Sequence, residues 1–239
     1  MKVLFVTHDG VSHEPLGLMY LSGALIGSGH KTKACMQSQA VDFVRRWQPD
    51  FVAFQVLTGD QNRWGIVAKS IKLHFPKVKT IFGGPHYLFF SKVNQPEADY
   101  VVRGDGENEI IAIVEGREQT GADAPKSIMD LDSLHHPDRS LLYNDNFPGI
   151  KSNVIRNEIA CRGCPYKCTY CYNSNPQWQE MTRGGRLRYH SPEWIVNDIE
   201  MTLGRYGGEL VSFQDDIFGI DMDWLEKFSM LYRRVGIPF

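Results

Sequence analysis

At 239 residues, with 42% hydrophobic and 23% charged residues, the chain is long enough to bury a sizeable core, and it exceeds the usual size of one domain. One complete domain plus a second is therefore expected. The formal charge of -2 supplies no overall basic field, so neither nucleic acid nor an anionic membrane is an expected partner. The opening MKVLFVTHDG breaks its short apolar run at Asp9, which does not suit a signal peptide, and no later stretch approaches a membrane span; a cytoplasmic location is expected.

In chain order, VLFVT (3–7), TKACM (32–36), DFVAFQV (50–56), VKTIFG (78–83) and DYVVRG (99–104) read as strands. Helical patterns lie between them near 17–28, 39–48, 62–75 and 106–118, with a loop or short helix at 85–95. Strands that alternate with helices predict an α/β fold with a doubly wound, five-stranded parallel sheet, because parallel neighbours need crossover connections. Ligands of such sheets bind beyond the carboxyl ends of the strands, so the loops at 8–17, 55–62 and 83–90 are the ones expected to carry function. This first domain is placed at 1–118.

Residues 119–153 break the pattern. With three prolines, several Asp and Asn residues and no sustained period, they read as an inter-domain connector. Its His135–His136 pair lacks a third ligand at a recognisable spacing and is read as solvated. A second domain, 154–239, then opens with the strand VIRNEIA (154–160). The cysteine loop, a helix near 192–206, the strand LVSFQD (210–215) and a helix near 221–235 follow.

The stretch CRGCPYKCTYC places four of the five cysteines within residues 161–171. In a cytosolic context such crowding points to metal binding or redox chemistry and not to a disulfide framework. Cys35, alone in an apolar strand, reads as a small buried hydrophobe. The four cysteines contain two spacings, CxxCxxxC (Cys161, Cys164, Cys168) and CxxxCxxC (Cys164, Cys168, Cys171), and either triplet could form a ligand set. A zinc ribbon separates its two CxxC knuckles by a long spacer, which is missing here. Closely spaced thiolates on one loop suit an iron-sulfur cluster, and three protein ligands would leave one iron open to an exogenous molecule. A structural metal knuckle is the alternative.

CPYKCTYC resembles the CxxxCxΦC signature of the radical SAM superfamily. The resemblance implies that Cys164, Cys168 and Cys171 hold a 4Fe-4S cluster, whose open iron binds the amino and carboxylate groups of S-adenosylmethionine. Tyr170 is the aromatic residue of the signature and is implied to lie near the adenine. In that family the motif follows the first strand of a (β/α)6 partial barrel, and VIRNEIA is placed to be that strand. Cys161 falls where the related SRGCP stretch has serine, and is read as a neighbour of the cluster.

The first half resembles the cobalamin-binding subfamily of these enzymes. EPLGLMYLSGAL (14–25) is similar to PPLGLxYLAAxL, FGGPHYLFF (82–90) to a GGPHPT stretch, and DYVVRGDGENEI (99–110) to DxVVxGEGE. The resemblance implies cobalamin contacts at Gly17, Gly83, Gly84 and His86. It also implies contacts at Gln55, Val56 and Leu57, which stand where the classical domain has SxL. The cobalt-ligating DxHxxG is absent, since the segment reads DGVSHEPLG, so His13 is taken as an ordinary loop residue. His8 has an equally modest claim.

The sequence GGE at 207–209 matches the label of the motif that binds the S-adenosylmethionine amine, but it precedes a strand where that motif follows one. It is read as a helix stop. FQDDIF is similar to the subfamily's FxDDxF, which implies Asp215 and Asp216 as partners of the S-adenosylmethionine ammonium group.

The resemblance implies reductive cleavage of S-adenosylmethionine to a 5'-deoxyadenosyl radical, followed by methyl transfer from methylcobalamin to an unactivated carbon. A tetrapyrrole-type oxidative cyclase or ring rearrangement is the second reading, and a non-catalytic iron-sulfur and cobalamin binding protein the third. A small-molecule or metabolite substrate and a reductant such as flavodoxin or ferredoxin are the expected partners. Since only two strands and the start of a third at GIPF fit a six-strand barrel, the chain is expected to hold only the first units of that barrel and to be inactive by itself.

Overall fold

The computed structural model of the chain describes residues 1–90, 95–117, 127–176 and 187–239. They form two compact units, Met1–Val11 with Gly17–Ser127, and Ser12–Leu16 with Ile128–Phe239. Among the described residues, no helix is long and apolar enough to cross a membrane.

In the first unit, strands β1 (Lys2–Thr7), β2 (Lys31–Met36), β3 (Phe51–Gln55), β4 (Lys79–Gly83) and β5 (Tyr100–Val101) form one sheet in the order β2-β1-β3-β4-β5. All pairings are parallel. Helices α1 (Leu16–Gly27), α2 (Ala40–Trp47), α3 (Gln61–His74), α4 (Pro85–Phe89) and α5 (Glu107–Val114) connect or follow the strands. This is the predicted doubly wound sheet. Strand residues are buried in runs because both faces are covered: Leu4, Val6, Val52, Phe54 and Phe82 pack in one cluster with Val44 of α2 and Trp64, Ala68 and Ile71 of α3. Val3, Phe5, Ala53 and Ile81, buried on the alternate positions, point to the other face. Cys35 is buried in the first cluster, and burial, with Asp9 adding to it, pushes its thiol pKa up to about 12. It is core, as expected.

In the second unit, β6 (Ile155–Glu158) pairs in parallel with β9 (Leu210–Phe213), and a short antiparallel pair joins β7 (Cys161–Arg162) to β8 (Arg188–Tyr189). Helix α6 (Pro148–Lys151) precedes β6, α7 (Pro192–Tyr206) precedes β9, and α8 (Met222–Tyr232) follows it. Both longer helices start on side-chain caps: Ser191 Oγ accepts from Trp194 N at 3.2 Å, and Asp221 Oδ1 accepts from Trp224 N at 3.0 Å. Ile195, Val196 and Ile199 of α7, Val211 of β9, and Trp224, Phe228 and Tyr232 of α8 form the core. Gly207, at φ +66°, ends α7, and Arg156 donates to the Tyr206 and Gly207 carbonyls at 3.0 and 2.7 Å. The GGE segment is thus a helix terminus held by a cation. The GIPF segment forms no strand, although Val211 N donates to Pro238 O at 3.0 Å.

Residues 128–153, expected as connector, lie in this second unit, and Leu131, Leu141, Leu142, Phe147 and Ile150 are buried. Their apolar residues are spaced by turns and 3-10 segments, which leaves no period to read. From this stretch Arg139, 3% exposed, enters a cluster of acids. Its Nη1 donates to Glu14 Oε1 at 2.7 Å, and its Nη2 contacts Glu158 Oε1, Asp198 Oδ2 at 3.3 Å and the Asn157 carbonyl at 3.0 Å. Glu14 also accepts from Tyr143 Oη at 2.7 Å and from the Asn157 amide at 2.5 Å. His136 is not simply solvated: its Nδ1 lies 2.8 Å from Asp198 Oδ1 and its ring stacks on Trp194.

One cation among three enclosed carboxyls leaves an excess of acid, and the excess is relieved at Glu158. Burial first, then the Asp198 and Glu14 carboxylates, raise its pKa well above the usual range against the pull of Arg139. The folded pKa exceeds the unfolded one, so the stability this group contributes is full below the ordinary value of about 4.3 and is lost as pH rises through the raised value. Glu158→Gln should therefore gain on the wild type, in urea denaturation, as the pH is raised from about 4.5; a difference that does not change with pH would contradict the assignment. Arg139→Met, which strands the buried acids, should cost about 3–5 kcal/mol in the same measurement at neutral pH.

Candidate functional site

In the first unit the strand order reverses between β1 and β3, and ligands of such sheets sit beyond the carboxyl ends at that reversal. Gln55 closes β3 there. The following Val56 is buried, donates its amide to Gly83 O at 2.8 Å and accepts from His86 N at 3.1 Å, which locks the turn after β3 to the turn after β4. Gly84 has φ +105°, and a Cβ there would lie 3.0 Å from both Val56 N and Val56 O. Only glycine satisfies both demands. A Cβ at Gly83 would come 3.3 Å from Val102 Cβ, and one at Gly17, exposed at the start of α1, would come 3.5 Å from Gln55 Nε2. Gly17, Gln55, Val56, Gly83, Gly84 and His86 are thus gathered on one edge, while Leu57, half-exposed, faces outward.

His86 is 3% exposed, with Nδ1 3.3 Å from Thr58 Oγ1 and its ring stacked on Phe90. Burial lowers its pKa, so the ring is neutral at physiological pH. Its Nε2 is buried with no hydrogen-bond partner. A glycine-lined edge with an unused imidazole nitrogen beneath it suits a large ligand that carries amide groups. His8 is already engaged by Asp60 at 3.3 Å and Arg63 at 3.0 Å, and His13 is exposed.

In the second unit the cysteine loop leaves the carboxyl end of β6. Its base is fixed by Asp215, just past β9, which accepts from Ala160 N at 3.1 Å and Cys161 N at 2.5 Å. Burial raises the Asp215 pKa against the pull of these hydrogen bonds. Cys161 is buried and its Sγ lies 3.3 Å from Ile217 O; burial first, then Asp215, raise its pKa, so it stays a thiol. Cys164 is buried, Cys171 half-buried and Cys168 exposed, and all are free. Cys171 N donates to Cys168 O at 3.0 Å, which closes a turn between the two. Tyr170 is 92% exposed. Asp216 accepts from Tyr172 Oη at 2.5 Å.

Among the described residues, no three His, Cys, Asp or Glu side chains are drawn close enough to hold a metal ion. The donor set still fits a cluster: three free thiols share one loop, two of them reach solvent, and the fourth cysteine is retired into the core. Spacing alone did not reveal that Asp215 is spent on backbone amides. Nor does spacing show that Gln214 meets Ser212 and Asn157 on one face of the β6–β9 pair.

Residues 2–114 match the family model of the B12 binding domain. Over 95% of its length the chain is 26% identical to an uncharacterized methyltransferase of Pyrococcus horikoshii, of which it spans 54%. Over 87% of its length it is 25% identical to an anaerobic magnesium-protoporphyrin IX monomethyl ester cyclase of Cereibacter sphaeroides, of which it spans 39%. Among solved structures, the cobalamin-dependent S-adenosylmethionine radical enzyme OxsB with aqua-cobalamin bound superposes on 98% of this chain with a TM-score of 0.76, at 12% identity, and 37% of that chain is covered. This last likeness shows the fold. Residues 2–114 are thus similar to a B12 binding domain, and the chain spans about half or less of the length of the curated relatives it matches.

Proposed function

We propose that the chain takes part in radical methylation of an unactivated carbon, with cobalamin held at the sheet edge of the first unit and a 4Fe-4S cluster and S-adenosylmethionine at the cysteine loop of the second. The observation that carries this reading is the Cys164, Cys168 and Cys171 triplet on the loop that leaves β6, in a chain whose first half is similar to a B12 binding domain. When bound, the cluster would supply the electron that cleaves S-adenosylmethionine, and cobalamin the methyl group.

The residues divide the remaining work. Asp215 anchors the base of the loop, which lets the three thiols present themselves from one turn-rich segment. Asp216, exposed, is the carboxylate of the pair placed to meet the ammonium group of S-adenosylmethionine, with Tyr170 beside the adenine. Gly17, Gly83 and Gly84 admit the corrin to the backbone, Gln55, Val56 and Leu57 line its approach, and His86 Nε2 is free to bond a corrin amide. A small-molecule substrate and a reductant such as flavodoxin or ferredoxin complete the system, with a cytoplasmic location. The cyclase among the relatives favours oxidative cyclisation as a second reading.

Three outcomes are expected of the full chain. Replacement of Cys164, Cys168 or Cys171 by Ala should abolish the iron-sulfur absorbance after anaerobic reconstitution, whereas Cys161→Ser keeps it; equal loss in all four would overturn the three-ligand assignment. Hydroxocobalamin should bind at one per chain in a spectrophotometric titration, and Gly84→Val should weaken it at least tenfold, because the added side chain displaces the Val56 backbone. In a system that supports turnover with substrate, S-adenosylhomocysteine should form alongside 5'-deoxyadenosine; 5'-deoxyadenosine alone would favour the cyclase reading.

A further inference from the structure

Helix α3 turns Trp64, Ala68 and Ile71 into the core of the first unit and leaves another stripe uncovered. On that stripe Ile66 is 71% and Leu73 79% exposed, nearly two turns apart, with exposed Lys69 between them. Arg63 lies one turn before Ile66 and Lys77 just past the end of the helix, and both are exposed. The helix itself contains no Asp or Glu. The acids that border it are already engaged: Asp60 faces His8 at 3.3 Å, Asp99 takes Lys72 at 2.7 Å and Lys79 at 3.4 Å, and Glu97 accepts from Gln95 at 2.9 Å. Lys69 and Lys77 make no ion pair among the described residues. A helix that covers a sheet ordinarily shows solvent a polar outer face. Here two large aliphatic side chains stand among cations that nothing in the unit balances.

Resting on the reading above, we propose that the outer face of α3 is the docking surface of an acidic electron-carrier protein, the reductant of this system. Lys69, Lys77 and Arg63 complement a ring of carboxylates, and Ile66 and Leu73 give that ring an apolar centre to close on. The apolar part is small, which suits a partner that binds and leaves quickly, as an electron carrier does, and not a permanent subunit. The surrounding charge speeds the encounter. The helix also starts four residues past Leu57, so its amino-terminal end borders the sheet edge assigned above to cobalamin. A second copy of the chain would set lysine against lysine on this face, and a nucleic acid backbone would gain nothing from Ile66 and Leu73.

The test is binding of an oxidised flavodoxin of acidic isoelectric point to the immobilised full chain, read by surface plasmon resonance. The wild type should bind it reversibly, and more weakly as salt is raised. Lys69→Glu and Leu73→Asp should each raise the Kd about tenfold or more, with melting temperature and hydroxocobalamin binding unchanged. Binding that survives both substitutions would overturn the inference, as would binding that Lys167→Glu in the cysteine loop removes while they do not. Self-association of the chain that the two α3 substitutions abolish would also overturn it, because a second copy would then cover the face. A wild type that binds hydroxocobalamin but no flavodoxin overturns the inference alone. A chain that binds no cobalamin and assembles no cluster overturns the proposed function together with it.

Discussion

The second unit depends on a single guanidinium held among three carboxyls. Strand β6 has a partner, β9, along one edge, where Gln214 N donates to Glu158 O at 2.8 Å. Backbone groups alternate in direction along a strand, so the Asn157 amide and carbonyl face the opposite edge. There the amide meets Glu14 and the carbonyl meets Arg139, which are themselves paired. The ion pair does for Asn157 what a neighbouring strand would do, and it leaves that edge closed to pairing with another chain. Because the arrangement is enclosed, its charges must balance. Burial opposes the charge on Arg139, the surrounding carboxylates outweigh that opposition, and a proton on Glu158 removes the surplus.

The position of the cysteine loop follows from this. β6 is fixed at both edges, and two residues beyond it Asp215 takes the amides of Ala160 and Cys161. The loop therefore starts from a rigid point even though Cys168 and Tyr170 lie exposed farther on. The first unit reaches the same end without charge. There the turns after β3 and β4 are bound to each other through the Val56 backbone, and glycine at 84 is the condition for their approach. Backbone-to-backbone contact keeps that edge low and uncharged, which suits a broad ligand with amide groups, whereas in the second unit Asp215 is held by backbone amides and Asp216 by Tyr172.

Periodicity made most of the fold legible. The five strands of the first unit, β6, β9 and the helices α7 and α8 have apolar residues in runs or at helical spacing, and burial follows that pattern directly. β5 is shorter than the run DYVVRG predicts, since only Tyr100 and Val101 pair with Ile81 and Phe82 of β4. What escaped was non-periodic. The segment 128–153 is held by individual buried side chains and by Arg139, whose partner Glu14 lies 125 residues away. No local spacing signals such a contact. His136 was misread for the same reason: its ligand is a buried Asp198 in α7, 62 residues on. In FQDDIF the resemblance marked two adjacent acids for one role, and hydrogen bonding separates them, since Asp215 faces the loop base and Asp216 faces Tyr172.

The central claim is that three thiolates of one loop hold a cluster whose remaining iron meets S-adenosylmethionine. Its most direct test is the electron paramagnetic resonance spectrum of the reduced, iron-reconstituted full chain, recorded with and without S-adenosylmethionine. The account predicts a 4Fe-4S signal whose g-values shift when S-adenosylmethionine is added. A cluster signal that S-adenosylmethionine leaves unchanged would contradict it.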